Sequence, residues 1–151
     1  GFFDSEGLRD RDLQLLLKTT TEAGAREGTT AAYHFDICGE GGQRIGQCDL
    51  HLGHSERLYF GGNIGYRVEE AFRGRHVAVR VCRLLFELAA RHGLGYVIIS
   101  CFPENGASRA TAEASGCRLL ETARLPLWHE LSREGNSVCI YGKSLEEVKA
   151  I

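Results

Sequence analysis

The stretch Tyr66–His92, YRVEEAFRGRHVAVRVCRLLFELAARH, decides the fold of this chain. It predicts the end of a strand, a short basic turn at residues 73–78 and then an amphipathic helix. The start of a helix presents unpaired backbone N–H groups and the positive end of the helix dipole, so the turn could bind an anion such as phosphate. The alternative is a solvated basic turn without a ligand, and these residues alone leave both interpretations open.

The flanking segments predict a crossover unit around this stretch. We expect a strand over Leu58–Val68 before the helix, and the apolar run Tyr96–Phe102 predicts a central strand after it. A strand, a helix and a second strand in this order predict a parallel pair of strands.

The beginning of the chain predicts simpler elements. Leu13, Leu16 and Leu17 could share one face of a short helix over residues 12–18. Strands are expected over Ala31–Cys38 and Gln43–Leu52, joined by a glycine-rich hairpin.

Further along, Asn105 could cap a helix at about 107–115, and final strands are expected at 117–125 and 137–141. The predicted fold class is α/β (α+β), with a mixed, mostly antiparallel sheet in a single domain over residues 1–151.

Composition excludes several classes of function. A net charge of −2 gives no general attraction to nucleic acid or to a membrane surface. The sequence contains neither a membrane-spanning run nor a signal-peptide pattern, so a cytoplasmic location is expected. The six cysteines form no C-x-x-C pair and are expected to be small buried thiols. His51, His54 and Glu56 match no reliable ligand spacing, so no metal site is expected.

Two motifs resemble those of the GNAT superfamily of acyl-CoA-dependent N-acyltransferases. The first, Arg73-Gly74-Arg75-His76-Val77-Ala78, is similar to the pyrophosphate loop of that family, with His76 in place of its middle glycine. The second, Asn105-Gly-Ala-Ser108, stands about 30 residues later. The lead-in Ile64–Val68 is similar to the branch that acetylates the N-termini of ribosomal proteins.

The resemblance implies a sheet that splays in the middle, with helices on both faces and acetyl-CoA bound in the gap. The backbone N–H groups of residues 75–78 would hold the pyrophosphate, and Arg73 and Arg75 would add charge. A β-carbon at His76 is expected to be tolerable if φ stays negative. Arg80 or Arg109 could reach the ribose phosphate, although both could be plain surface residues. The remaining contacts implied by the family, to the pantetheine arm, fall on Tyr66, Val68, Asn105 and Ser108.

The implied reaction is direct attack of a primary amine on the thioester, with the Val68 backbone N–H as oxyanion donor. The family often has a tyrosine acid seven residues after the motif asparagine and a glutamate two residues before Gly65. This chain has Ala112 and Asn63 there, and neither can transfer a proton. Asn63 could still orient the amine or a water, or could be a satisfied strand amide. The candidates for the base are His51, His54, Glu56, His129 and Glu130, each of which could equally be a surface or packing residue.

The acceptor cannot be identified from the sequence, and a peptide N-terminus, a polyamine and an aminoglycoside all remain open. A non-catalytic acyl-CoA sensor of the same fold is the main alternative, and an unrelated α/β domain with an accidental basic turn is the third. The resemblance also allows a homodimer, by analogy alone.

Overall fold

The computed structural model describes residues 2, 3, 5, 7–24, 29–74, 76–146 and 148. Within these residues a five-stranded antiparallel sheet has the order β1-β2-β3-β4-β5, formed by Arg9–Asp10, Leu13–Thr21, Ala32–Cys38, Arg44–His51 and Ile64–Val68. A three-stranded antiparallel sheet has the order β6-β8-β7, in which β6 is Tyr96–Cys101, β7 is Arg118–Arg124 and β8 is Ser137–Ser144. The helices are α1 (Glu56–Gly61), α2 (Val77–Arg91) and α3 (Gly106–Ala114). The predicted fold class is therefore confirmed.

The helix expected over residues 12–18 is wrong, because this segment lies in β2 and pairs antiparallel with β3. Leu13 and Leu15 are buried, whereas Leu16 and Leu17 are nearly half exposed. Burial at every second residue is the period of a strand, and the β-branched run Thr19–Thr21 favours the same conformation.

The single strand expected over Leu58–Val68 is wrong in its first half, where the chain forms α1. Ser55 caps this helix, its hydroxyl accepting a hydrogen bond from the Leu58 N–H at 3.1 Å. Gly62, with φ of 87°, ends the helix and lets the chain turn into β5. Gly61 and Gly62 therefore lie at the end of a helix, whereas Gly65 lies within β5.

Two apolar clusters lie on opposite faces of the three-stranded sheet. The larger cluster joins Val97 and Ile99 of β6 to α2, to Ala112 of α3 and to the inner face of the five-stranded sheet. The smaller cluster contains Ile98 and Ile140, and packs against the α1 residues Tyr59 and Phe60. Helices thus cover both faces of this sheet, with α2 and α3 on one side and α1 on the other.

The two sheets meet where β5 begins. The Asn63 N–H donates to the Ile98 carbonyl at 2.7 Å, and the Asn63 side-chain oxygen accepts from the Ile98 N–H at 2.8 Å. The Asn63 amide nitrogen donates to the carbonyls of His51 and Gly53. Beyond this junction β5 and β6 belong to different sheets. The expected parallel pairing of β5 with β6 is therefore limited to the bonds between Asn63 and Ile98. The splay that the family resemblance implies is present, because the two strands belong to different sheets.

The remaining predicted elements are confirmed within a few residues at their ends. Asn105 caps α3 through a bond from the Ser108 N–H at 3.1 Å, and β7 and β8 form the final hairpin. All six thiols are free, and burial raises the pKa of the Cys82 thiol to about 12. In the part of the chain that the structure describes, no helix is long and apolar enough to span a bilayer.

Candidate active site

One edge of β5 is turned toward the gap between the sheets. The His51 N–H donates to the Asn63 carbonyl, and the Glu69 N–H donates to the Ile45 carbonyl. Since hydrogen-bonded pairs alternate along an antiparallel ladder, the backbone groups of Tyr66 and Val68 point away from β4 and into the gap. These groups could pair with an extended ligand that lies beside β5 as an added strand.

A cleft of about 530 Å³ opens beside this edge. Its walls are β5, the turn before α2 and the first turns of α3. The cleft brings together nine of the ten cofactor-binding residues predicted from the sequence, namely Tyr66, Val68, Arg73, Gly74, His76, Val77, Ala78, Asn105 and Ser108. The tenth, Arg75, lies outside the described residues.

The start of α2 supplies unpaired amides to this cleft. The first N–H that bonds back to the residue before the helix is that of Arg80, which donates to the His76 carbonyl at 3.2 Å. The N–H groups of Val77, Ala78 and Val79 precede it and have no acceptor among the residues that the structure describes, and all three residues line the cleft. This arrangement can hold a phosphate through backbone N–H groups and the helix dipole.

His76 adopts the left-handed conformation, with φ of 57° and ψ of 21°. The condition of a negative φ, under which a β-carbon was expected to be tolerable, is therefore not met. The chain must reverse direction between the turn and the first residue of α2, and the left-handed region provides this reversal. A residue with a β-carbon pays a steric cost there of about 1 kcal/mol, which glycine avoids.

The structure changes the roles expected for two arginines. The Arg73 Nε donates to the Val68 carbonyl at 2.8 Å and ties the turn to the end of β5. Arg80 is held away from the cleft by Asp10 and Asp12, at 2.7 and 2.9 Å. Hydrogen bonding to Arg80 lowers the pKa of Asp10, so this anchor persists at neutral pH.

The wall formed by α3 carries small side chains. Ala107, Ala110 and Thr111 face the cleft, and the Tyr66 hydroxyl approaches the Ser108 hydroxyl at 3.5 Å. Burial raises the pKa of Tyr66, so its phenol stays protonated at neutral pH.

None of the residues predicted as a proton acceptor lines this cleft. His51 lies on β4 beside Asp49, with 3.4 Å between His51 Nε2 and Asp49 Oδ1. The His54 ring stacks on Tyr96 at 4.1 Å, and Glu56 is exposed in the first turn of α1.

Three further candidates are engaged in the structure. The Asn63 side chain is buried, and both hydrogens of its amide are donated to carbonyls. Of the two roles considered for Asn63, this arrangement favours that of a satisfied amide. The His129 ring, 3% exposed, bonds to the Arg57 carbonyl and the Leu131 N–H. Glu130 lies 3.9 Å from Arg57. None of these three lines the cleft.

Sequence reasoning missed Asp49, whose carboxylate lies directly over Gly65 of β5. A β-carbon built on Gly65 would lie 2.9 Å from Asp49 Oδ1, so the missing side chain makes room for the carboxylate. The alternation of β4 places Asp49 and His51 on the same face, and this was the signal available in the sequence. In the described residues no group of three or more potential ligands could hold a metal ion.

Solved structures of acetyltransferases share this fold. The microcin C7 self-immunity acetyltransferase MccE, in complex with acetyl-CoA and AMP, has a TM-score of 0.60 and 20% identity, covering 75% of this chain and 61% of that one. The Salmonella typhimurium acetyltransferase that modifies the N-terminal serine of ribosomal protein L7/L12 has a TM-score of 0.59 and 21% identity, covering 75% and 63%. The Vibrio fischeri ribosomal-protein-S5-alanine acetyltransferase has a TM-score of 0.61 and 16% identity, covering 78% and 64%.

The chain therefore spans about three-fifths of the length of these structures. No curated protein matches the sequence at a significant level. The model of the acetyltransferase (GNAT) domain matches residues 8–118, which is most of the chain. With the splayed sheets, the free amides at the start of α2 and this match, the chain belongs to the GNAT acetyltransferase family.

Proposed function

We propose that this protein transfers an acetyl group from acetyl-CoA to a primary amine by direct attack on the thioester. The observation that carries the proposal is the cleft in which three unpaired amides of α2 and the outward edge of β5 face the same space. A diphosphate at the start of α2 would direct the rest of the donor along β5 toward the junction at Asn63.

The Val68 N–H supports this reaction as an oxyanion donor because its backbone points into the gap. The leaving thiolate resembles that of cysteine, with a pKa of about 8.5, and departs without strong acid assistance. The buried Ala112 in α3 is therefore compatible with turnover. The amine must lose a proton before it attacks, since its own pKa lies near 10.

Two measurements on the whole chain test the proposal. Acetyl-CoA at 1 mM should raise the midpoint of thermal unfolding, because a ligand that binds only the native state stabilises it. A panel of primary amines should then release free thiol from acetyl-CoA, with mass spectrometry of the acetylated product. Desulfo-CoA is the matched control ligand, since it should stabilise the protein without donating an acetyl group.

The main alternative, a non-catalytic acyl-CoA sensor, is favoured by the missing tyrosine and glutamate of the family pattern. It predicts the same thermal stabilisation with no thiol release from any amine. If neither acetyl-CoA nor desulfo-CoA shifts the unfolding midpoint, the donor site itself is wrong.

A further inference from the structure

We propose that the open face of the five-stranded sheet binds the acceptor, that the Asp49 carboxylate contacts its ammonium group, and that the acceptor is a small amine with one ammonium and several hydroxyl groups. This assignment rests on the acetyltransferase function proposed above. It identifies the class of acceptor and a residue that contacts it.

The face in question is the one turned away from α2. Along β3 the residues Tyr33, Phe35 and Ile37 are buried in the core cluster with α2, while His34 and Asp36 point the other way. The same alternation in β4 and β5 adds the side chains of Gln47, Asp49, His51 and Arg67, with Gly65 between them. Every one of these positions is polar or glycine.

An acceptor can approach the gap from this side. Among the described residues, α2 and α3 cover the opposite side of β5, where the donor cleft lies, and α1 packs against the three-stranded sheet. The polar face is therefore the side of β5 left for a second substrate.

The Asp49 carboxylate stands close to where the amine must arrive. It lies over the Cα of Gly65, because no side chain separates the two. Neighbouring strands are about 4.8 Å apart, so the gap beside β5 begins within one strand spacing of this carboxylate. An ammonium group, or one intervening water, spans that distance.

Two histidines, His34 and His51, lie next to Asp49 on this face. His34 is the direct cross-strand partner of Asp49, and the His34 Nε2 bonds the Thr21 hydroxyl at 2.8 Å. The His51 Nε2 lies 3.4 Å from Asp49, and the His34 and His51 rings meet edge to face at 6.2 Å. Of the two histidines, His51 contacts the carboxylate, and both offer further hydrogen-bonding groups on this face.

The charges on this face match a single ammonium group. Asp36 is neutralised by Arg44, at 3.0 Å between Asp36 Oδ1 and Arg44 Nε. Arg67 follows Gly65 on the same face of β5, so its positive charge disfavours a second ammonium on the acceptor. The hydrogen-bonding groups of Gln47 and the two histidines suit hydroxyl groups. An amino sugar or an amino alcohol has this chemistry.

The proton balance of the step is simple. The ammonium gives one proton to Asp49, which passes it to water, and the free amine attacks the carbonyl carbon of the thioester. The second proton leaves the nitrogen as the tetrahedral intermediate collapses, the C–S bond breaks and the sulfur takes up that proton. The products are the amide and the free thiol.

The experiment compares Asp49→Asn with Glu40→Gln, which removes one negative charge from an exposed residue in the turn between β3 and β4. Glucosamine and cyclohexylamine each carry one amine on a six-membered ring, and putrescine carries two amines. Rates are expressed per concentration of the ammonium form, which is the form that Asp49 contacts. We expect Asp49→Asn to lower kcat/KM for glucosamine at least about tenfold, with Glu40→Gln within about twofold of the wild type. Glucosamine should exceed both other amines.

Two readouts separate a role in acceptor binding from a merely structural one. The unfolding shift caused by acetyl-CoA should be unchanged in Asp49→Asn, and the residual activity should rise more steeply with pH than in the wild type. Gly65→Ala, whose β-carbon displaces the carboxylate, should reproduce the loss. If the wild type turns over but Asp49→Asn stays within twofold, or if cyclohexylamine matches glucosamine, this assignment is overturned alone. If the wild type binds acetyl-CoA but acetylates no amine, the proposed function fails and this assignment falls with it.

Discussion

The two ends of β5 differ in how they meet β6. At Asn63 two hydrogen bonds join the strands. The Asn63 N–H donates to the Ile98 carbonyl, and the Ile98 N–H donates to the Asn63 side-chain oxygen. At Tyr66 and Val68 the backbone faces a cleft of about 530 Å³. The comparison shows that the Asn63 side chain sets where the two sheets separate. The starts of α2 and α3 form the walls of the cleft that lies beyond this point.

The largest expected effect is that of Asn63→Ala, which removes side-chain bonds at the junction of β5 with β6, the closed end of β5. This substitution leaves the carbonyls of His51 and Gly53 and the N–H of Ile98 without their partner in a buried site. Each unsatisfied buried group costs about 1–3 kcal/mol, so the free energy of unfolding should fall by about 3 kcal/mol or more. Chemical denaturation measures this change.

Asn105→Ala is the matched control for that substitution. Asn105 is the exposed cap of α3 and accepts one bond, from the Ser108 N–H, so its loss should cost about 1 kcal/mol. Equal losses for the two substitutions would contradict the view that Asn63 alone sets the division of the sheet.

The open end of β5 is the part at Tyr66 and Val68 that faces the cleft. It is tested by Ala78→Asp, which places a carboxylate among the unpaired amides of α2. An acidic residue in the first turn of a helix stabilises it, by about 0.5 kcal/mol. The same charge repels a diphosphate, so the dissociation constant for acetyl-CoA should rise about tenfold or more. Denaturation should therefore show a higher free energy of unfolding, whereas isothermal titration should show a weaker affinity for acetyl-CoA. Ala78→Ser keeps the size and the neutrality and should change neither by much, whereas unaltered binding by Ala78→Asp would place the pyrophosphate elsewhere.

The cleft beside β5 was predictable from sequence because it depends on local geometry. A basic turn followed by a helical period fixes the position of a helix start, and Asn105 marks the next one. The unpaired amides of Val77 and Ala78 follow from that start whatever side chains surround them. The side chains could therefore vary, as His76 does, while the site stayed recognisable.

The polar face around Asp49 was not predictable because it depends on contacts between distant segments. Asp49 approaches β5 only through the register that places it opposite Gly65. The sequence does not decide between a strand and α1, because glycines such as Gly61 and Gly62 occur both at irregularities of strands and at the ends of helices. The isolated leucines of β2 fit a helical spacing equally well, and pairing with β3 decides between the two periods.

The smallest expected effect concerns the conformation of His76. Replacing it by glycine removes a left-handed steric penalty of about 1 kcal/mol, partly offset by the greater freedom of glycine in the unfolded chain. We expect His76→Gly to raise the free energy of unfolding by about 0.5 kcal/mol. Glu134, with φ of 58° in the connection before β8, offers a matched control, since Glu134→Gly relieves the same penalty far along the chain from α2.

The two glycine variants also separate backbone from side chain in donor binding. If amides at the start of α2 hold the phosphates, both variants should bind acetyl-CoA within about twofold of the wild type, because neither removes an N–H group. A tenfold loss confined to His76→Gly would mean that the imidazole itself contacts the donor. Binding at the open end would then depend on a side chain, as the closed end does at Asn63.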